Sequence, residues 1–154
     1  MKYLHLIKSI GVAIILIIGT TLSAQISHLH CGTLIDVNNG KTMTNQTIIV
    51  DGKKIHSIQS GYTTPGPDVE VIDLKDLTVM PGFMDMHVHI EGQSSPKRYE
   101  LGFRMNKADV ALQATVYCER TLMAGFTTVR DLGGSGVNVS LQGAINRGHI
   151  KGPR

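Results

Sequence analysis

The chain has 154 residues, of which 42% are hydrophobic and 18% charged, and its formal net charge at pH 7 is +3. This composition is typical of a globular domain and argues against intrinsic disorder. The basic residues are scattered singly, without a long run or interleaved aromatic residues, so no nucleic-acid partner is predicted.

The first 24 residues have the pattern of a secretory signal peptide. Lys2 and Lys8 precede a nearly uncharged apolar run over 10–18, and small and polar residues follow as far as Ala24. A membrane-spanning helix needs ~20 apolar residues, and this run is about half as long, so no stable membrane span is expected after cleavage. A secreted or periplasmic protein is predicted, with an uncleaved membrane tether as the alternative.

Residues 25–80 are predicted to form a small β-rich domain. Asn39-Gly40 and Asp51-Gly52 are typical of tight hairpin turns, because glycine readily adopts the positive φ that such turns require. Short β-rich runs surround these turns. They predict a small antiparallel sheet with strands over 32–37, 47–50, 54–58, 69–74 and 78–80.

From Pro81 onward the pattern changes to alternating strands and helices, which is typical of a parallel α/β sheet. Asn106 and Asp109 resemble the two partners of a helix-capping box. The predicted order is a buried strand over 83–90, a helix from 106 to about 124, a strand over 126–132, a loop over 133–136 and a helix over 138–146. These are two βα units, whereas a closed eight-unit barrel takes ~250 residues.

Asp85, His87 and His89 alternate with apolar residues, so on a strand all three would share one face. Two imidazoles at this spacing can lean toward one metal ion. His28 and His30 have the same spacing but follow no apolar strand, and this pair is interpreted as incidental. Spacing alone also allows a structural interpretation of His87 and His89, as hydrogen-bonded core histidines.

Three segments, in the same order, resemble one known family. The segment VMPGFMDMHVH at 79–89 resembles the signature of the first barrel strand in the amidohydrolase superfamily. The blocks RTLMAGFTTVRDLGG at 120–134 and AINRGHIKGPR at 144–154 resemble its branch of imidazolonepropionase-like and Xaa-Pro dipeptidase-like members. The similarity runs from about residue 28 to the last residue.

The resemblance implies a (β/α)8 barrel beside a small β-sandwich, of which residues 81–154 would form the first two βα units. It also implies one or two divalent metal ions, with zinc expected first, and His87 and His89 as ligands. The family's remaining ligands and its general base lie on later strands that match nothing in this sequence. We therefore assign no catalytic residue, and we expect the chain to be an N-terminal fragment that is inactive alone.

The activity implied is hydrolysis of amide, cyclic amide or Xaa-Pro peptide bonds by a metal-activated water, in a small-molecule or dipeptide substrate. Asp85, Arg130 and Asp131 are candidates for supporting the metal site or contacting substrate, although a buried structural role is open to Asp85 and a structural pair is the favoured interpretation of Arg130 and Asp131. The exposed edge of a two-strand sheet is also compatible with oligomer formation. The alternative function is an exported, non-catalytic β-rich binding or structural module with a vestigial barrel strand.

Overall fold

The computed structural model describes residues 26–154, so the predicted signal segment over 1–24 lies outside the described residues. The chain divides into two compact units, Met1–Met80 and Pro81–Arg154. None of the helices in residues 26–154 is both long enough and apolar enough to cross a membrane.

The first unit contains one four-stranded sheet in the order β3-β2-β1-β4. Its strands are β1 (Ile26–Asp36), β2 (Lys41–Asp51), β3 (Lys54–Ser60) and β4 (Glu70–Val79). The two predicted hairpins are confirmed: β1 and β2 pair antiparallel, as do β2 and β3, and Gly40 and Gly52 adopt positive φ in the turns. Cys31, Leu34 and Ile48 form the buried core of this unit.

The prediction of a wholly antiparallel sheet is wrong for β4. The runs over 69–74 and 78–80 form one strand, which pairs parallel to β1 with an irregularity opposite Cys31 and Thr33. Because β3 and β4 occupy opposite edges of the sheet, residues 61–69 carry the chain across it. The strand then enters beside β1 in the same direction as β1.

The second unit is built from two parallel βα units, as predicted. Its elements in chain order are β5 (Phe83–Val88), α1 (Arg98–Arg104), α2 (Lys107–Met123), β6 (Phe126–Asp131) and α3 (Val137–Asn146). β5 pairs parallel to β6. Arg154 pairs with the other edge of β6, where its N–H donates to Thr127 O and its carbonyl accepts from Val129 N, both at 2.8 Å. β6 is therefore hydrogen-bonded on both sides.

Local sequence determines the longest helix of this unit. The Asn106 side chain accepts hydrogen bonds from the N–H groups of Ala108 and Asp109, while Asp109 accepts one from Asn106 N. This is the predicted capping box, which satisfies N–H groups that have no partner within the helix. α2 ends at Met123, and Gly125 follows with φ 95°.

Helices α2 and α3 form the core of the second unit together with the segment after β5. The buried residues of this core are Ile90, Ala114, Cys118, Val137 and Leu141. Cys31 and Cys118 are both free and buried. Burial raises the pKa of each thiol above its ordinary value.

Four sequence predictions for this unit need correction. β5 ends at Val88 rather than 90, β6 ends at Asp131 rather than 132, and α1 forms between the first strand and the helix from 106, where no helix was predicted. The prediction that the first strand is buried is also wrong, because Met84 and Met86 are 69% and 52% exposed. The helical core contacts this segment at Val88, the last residue of β5, and at Ile90, two residues after it.

Candidate metal centre

The two histidines of the second unit lie together at the carboxyl end of β5. His87 is in the strand and His89 is the first residue after it; both are exposed. Their ring centroids are 5.4 Å apart and the ring planes meet at 61°. Two imidazoles on one tetrahedral zinc ion have centroids about 5 Å apart, since each bound nitrogen lies ~2.0 to 2.1 Å from the ion. The separation of the rings therefore suits a shared cation.

Asp85 lies on the same strand, but its carboxylate is hydrogen-bonded to the backbone. Its Oδ1 atom accepts a hydrogen bond from the N–H of His87 at 2.9 Å. The pairing of β5 with β6 is irregular between Asp85 and Val88, and this contact gives the His87 amide a partner in that stretch. Asp85 thus supports the local backbone of a histidine.

Arg130 and Asp131, at the end of β6, hold the two strands together through separate contacts. The Nε atom of Arg130 donates to Met86 O at 2.7 Å. The Asp131 carboxylate accepts from Ile90 N at 2.9 Å and from Gly133 N at 3.0 Å. Each side chain therefore has a structural contact with the segment that carries His87 and His89.

Glu91 is a further residue of this region that the sequence did not single out. Its carboxylate accepts hydrogen bonds from Ser135 N and Asn138 N, each at 2.8 Å. Burial raises the pKa of Glu91, but these hydrogen bonds outweigh burial and leave the pKa below its ordinary value. No local pattern predicts such a contact, because its partners lie more than forty residues further along the chain.

The other histidine pair has a structural role. His28 Nδ1 lies 2.7 Å from Thr63 Oγ1, and His30 Nε2 lies 3.0 Å from Thr63 O. His30 is buried, at 7% exposure, and its ring lies 5.2 Å from that of Tyr62. Both imidazoles attach residues 62 and 63 to β1, so this pair lies inside a strand and has structural contacts, whereas the sequence interpretation left it outside any strand.

A cavity of about 480 Å³ borders His89 within the second unit. Its lining includes several polar side chains from the segment after β5, from α1 and from α2, among them Glu91, Gln93, Arg98, Gln113 and Tyr117. Within residues 26–154, no three or more His, Cys, Asp and Glu side chains are grouped so that they could hold a metal ion. His87 and His89 thus form a two-donor site beside a cavity of the size of small-molecule pockets.

The amidohydrolase family model matches residues 78–152, which include both histidines. The second unit of the chain belongs to the amidohydrolase superfamily. Amidohydrolases generally use divalent metals. The ochratoxinase of Aspergillus niger is 28% identical over 141 residues, which is 90% of this chain and 29% of that protein. A dihydroorotase of Staphylococcus epidermidis is 39% identical over 59 residues, or 35% of this chain and 14% of its own length.

Solved structures agree with this amidohydrolase assignment. A Xaa-Pro dipeptidase with methionine bound in its active site is 37% identical, with a TM-score of 0.76 over 84% of this chain and 32% of that protein. The structure of the Aspergillus niger ochratoxinase is 26% identical with a TM-score of 0.69, over 86% of this chain and 30% of the enzyme. These neighbours are (β/α)8 barrels, and this chain spans about a third of their length or less. The predicted resemblance and fold class are therefore confirmed.

Proposed function

We propose that this amidohydrolase sequence forms part of a metal-dependent hydrolase of carbon–nitrogen bonds, in which His87 and His89 are two of the metal ligands. The observation that carries the proposal is the ring separation of 5.4 Å at the end of a barrel strand. Active sites of such barrels lie at the carboxyl ends of the strands. The family match over both histidines and the hydrolase names of the relatives support the same proposal.

His87 and His89 can supply two of the ligands of a metal site. Two exposed imidazoles offer nitrogen donors, and zinc is our first expectation because imidazole is one of its usual ligands. Catalytic zinc normally has three protein ligands and one open position. A complete site therefore needs donors that residues 26–154 do not bring beside this pair, and we expect this chain to be inactive by itself.

A divalent cation at this position would supply Lewis acidity to a substrate carbonyl and lower the pKa of a nearby water. The role of His87 and His89 is to hold that cation on one side of β5. Arg130 and Asp131 hydrogen-bond to the backbone of Met86 and Ile90. These contacts fix the backbone on either side of the two imidazoles.

The cavity beside His89 is our candidate for the substrate position. We keep amides, cyclic amides and Xaa-Pro peptide bonds as the substrate classes that the family resemblance implies, and the name of the Xaa-Pro dipeptidase favours the last of these. Arg98 lines the cavity with an exposed side chain, and its guanidinium could bind a substrate carboxylate. A small molecule or dipeptide fits a volume of about 480 Å³.

Zn²⁺ affinity tests the proposal with a control inside the same chain. We expect the His87→Ala/His89→Ala double variant to bind Zn²⁺ more weakly than wild type, measured by equilibrium titration, because two donors alone would not retain the ion through dialysis. The His28→Ala/His30→Ala double variant has the same composition change and should keep the wild-type affinity, because its histidines bind Thr63. Equal Zn²⁺ affinity of wild type and of the His87/His89 variant would contradict the proposal and favour the non-catalytic module.

We also propose that the protein is exported, with residues 1–24 as its signal peptide. The support is the order of Lys2 and Lys8, the apolar run over 10–18 and the small residues before position 25. N-terminal sequencing of protein from the culture medium or periplasm should find a mature chain that begins close to Gln25. A mature protein that retains Met1 or Lys2 in a membrane fraction would favour an uncleaved tether.

A further inference from the structure

The loop between β6 and α3 lies directly against the His89 ring. A Cβ atom built on Gly133 would be 3.3 Å from His89 Nδ1 and 3.4 Å from His89 Cε1. The absence of a side chain at Gly133 leaves space for the ring to approach the loop backbone. The orientation of His89 is therefore coupled to the position of this loop.

Three backbone N–H groups of the loop donate hydrogen bonds to carboxylate side chains, which fix the loop at these positions. Asp131 accepts from Gly133 N at 3.0 Å. Glu91 accepts from Ser135 N through Oε2 and from Asn138 N through Oε1, each at 2.8 Å. Asn138 Nδ2 donates to Gly133 O. Asn138 therefore contacts both Glu91 and Gly133, the glycine beside the His89 ring.

Glu91 supplies the contact that joins this loop to the histidine segment. It follows His89 by two residues, and both of its hydrogen-bond partners come after β6. α3 begins after Gly136, which provides no side-chain cap. A carboxylate satisfies N–H groups at a helix start and interacts favourably with the helix dipole. Glu91 therefore caps α3 from a distant segment.

We propose that Glu91 is a positioning residue for His89: by holding the Gly133–Asn138 segment, it keeps the loop backbone against the imidazole and fixes the ring orientation. The role in metal binding rests on the proposed function of His89. Residues outside the ligand set that orient a metal-binding histidine commonly change metal affinity 10- to 100-fold when they are removed.

The first test measures the ring position without metal. In the full chain, we expect a nuclear Overhauser effect between His89 Hε1 and the Gly133 Hα protons, and we expect Glu91→Ala to abolish it. Glu91→Gln keeps one side-chain oxygen acceptor and should retain a weaker signal. The control is Glu100→Ala, which removes an exposed carboxylate that pairs with Arg104. An unchanged signal in folded Glu91→Ala protein would overturn the proposal.

The second test separates positioning from general loss of stability. We expect Glu91→Ala to weaken Co²⁺ binding by the full chain about tenfold or more. Ile145→Val is the stability control, because it loosens the packing of α3 on the core. Its melting temperature should fall about as much as that of Glu91→Ala, while its Co²⁺ affinity should stay at the wild-type value. Equal losses of affinity in both variants would overturn the proposal.

The two tests also distinguish this inference from the function on which it rests. If wild-type protein binds no Co²⁺, the metal-site proposal fails, while the Overhauser measurement still decides whether Glu91 positions the ring. If wild type binds Co²⁺ and Glu91→Ala binds it equally well, only the positioning proposal fails.

Discussion

The carboxylate of Asp131 joins the ends of two neighbouring strands, because its Oδ2 atom accepts a hydrogen bond from the backbone N–H of Ile90 at 2.9 Å. Ile90 directly follows His89 and is buried in the core of the second unit. The other carboxylate oxygen accepts from Gly133 N. One half-buried side chain thus fixes the backbone on both sides of the proposed metal site.

Asp131→Asn should therefore destabilise the second unit. An amide keeps one acceptor oxygen but turns an NH₂ group toward the N–H of Ile90 or Gly133, which leaves a backbone donor unpaired. The expected loss in the free energy of unfolding is about 1 to 3 kcal/mol. Urea unfolding followed by circular dichroism measures it.

Glu119→Gln is the control for this variant. Glu119 pairs with Lys151 on the exposed surface at 3.5 Å, and such pairs contribute ~0 to 1 kcal/mol. An Asp131→Asn midpoint within error of the control would show that the Asp131 carboxylate does not hold the strand ends.

The sequence predicted features whose causes are local. Asn39-Gly40 and Asp51-Gly52 determine their hairpins because the turn residues lie between the strands that they join. The capping box of Asn106 and Asp109 involves residues only three apart. The alternation of Asp85, His87 and His89 correctly predicted that the two histidine rings lie on one side of the strand.

Features that depend on distant partners could not be predicted in this way. The parallel pairing of β4 with β1 follows from the path of residues 61–69 across the sheet, which no turn motif specifies. The two histidine pairs have the same spacing, and the contacts of His28 and His30 with Thr63 could not be inferred from that spacing. The Glu91 contacts join segments more than forty residues apart, so they require the fold to be known.

The two free thiols should report separately on the two units. Cys31 is fully buried in the first unit, and Cys118 is 1% exposed in the second. In Cys31→Ala and Cys118→Ala variants, the remaining thiol should react with Ellman's reagent at about pH 8 at least ~100-fold more slowly than in urea, because labelling requires an opening that exposes it. Rapid labelling of either thiol in the folded protein would contradict its burial.

The raised pKa of these thiols also gives a direction for stability at alkaline pH. Burial favours the neutral thiol in the folded protein, so an unfolded chain ionises first as the pH rises through the ordinary value of 9.0. The contribution to stability is present below that pH and is lost as the pH rises toward the folded-state pKa. Wild type should lose stability from about pH 9 upward more steeply than the Cys31→Ala/Cys118→Ala double variant.

Gly134 and Gly136 provide a matched pair for measuring the contribution of Glu91. Both glycines have positive φ, 107° and 94°, so alanine is strained at either position. A Cβ on Gly134 would lie 2.6 Å from Glu91 Oε1, whereas one on Gly136 meets nothing within 4 Å. Gly134→Ala forces the Glu91 carboxylate away from its two donors, and Gly136→Ala does not.

We expect Gly134→Ala to lower the free energy of unfolding by about 1.5 to 3 kcal/mol more than Gly136→Ala, which is the scale of hydrogen bonds to a charged group. In a Glu91→Ala background the excess should disappear, since no carboxylate remains to be displaced. Urea unfolding of the two single-glycine variants, in both backgrounds, provides this double-mutant cycle. An excess that persists without Glu91 would assign the strain to Asn138, whose Cγ lies 3.2 Å from the same Cβ position.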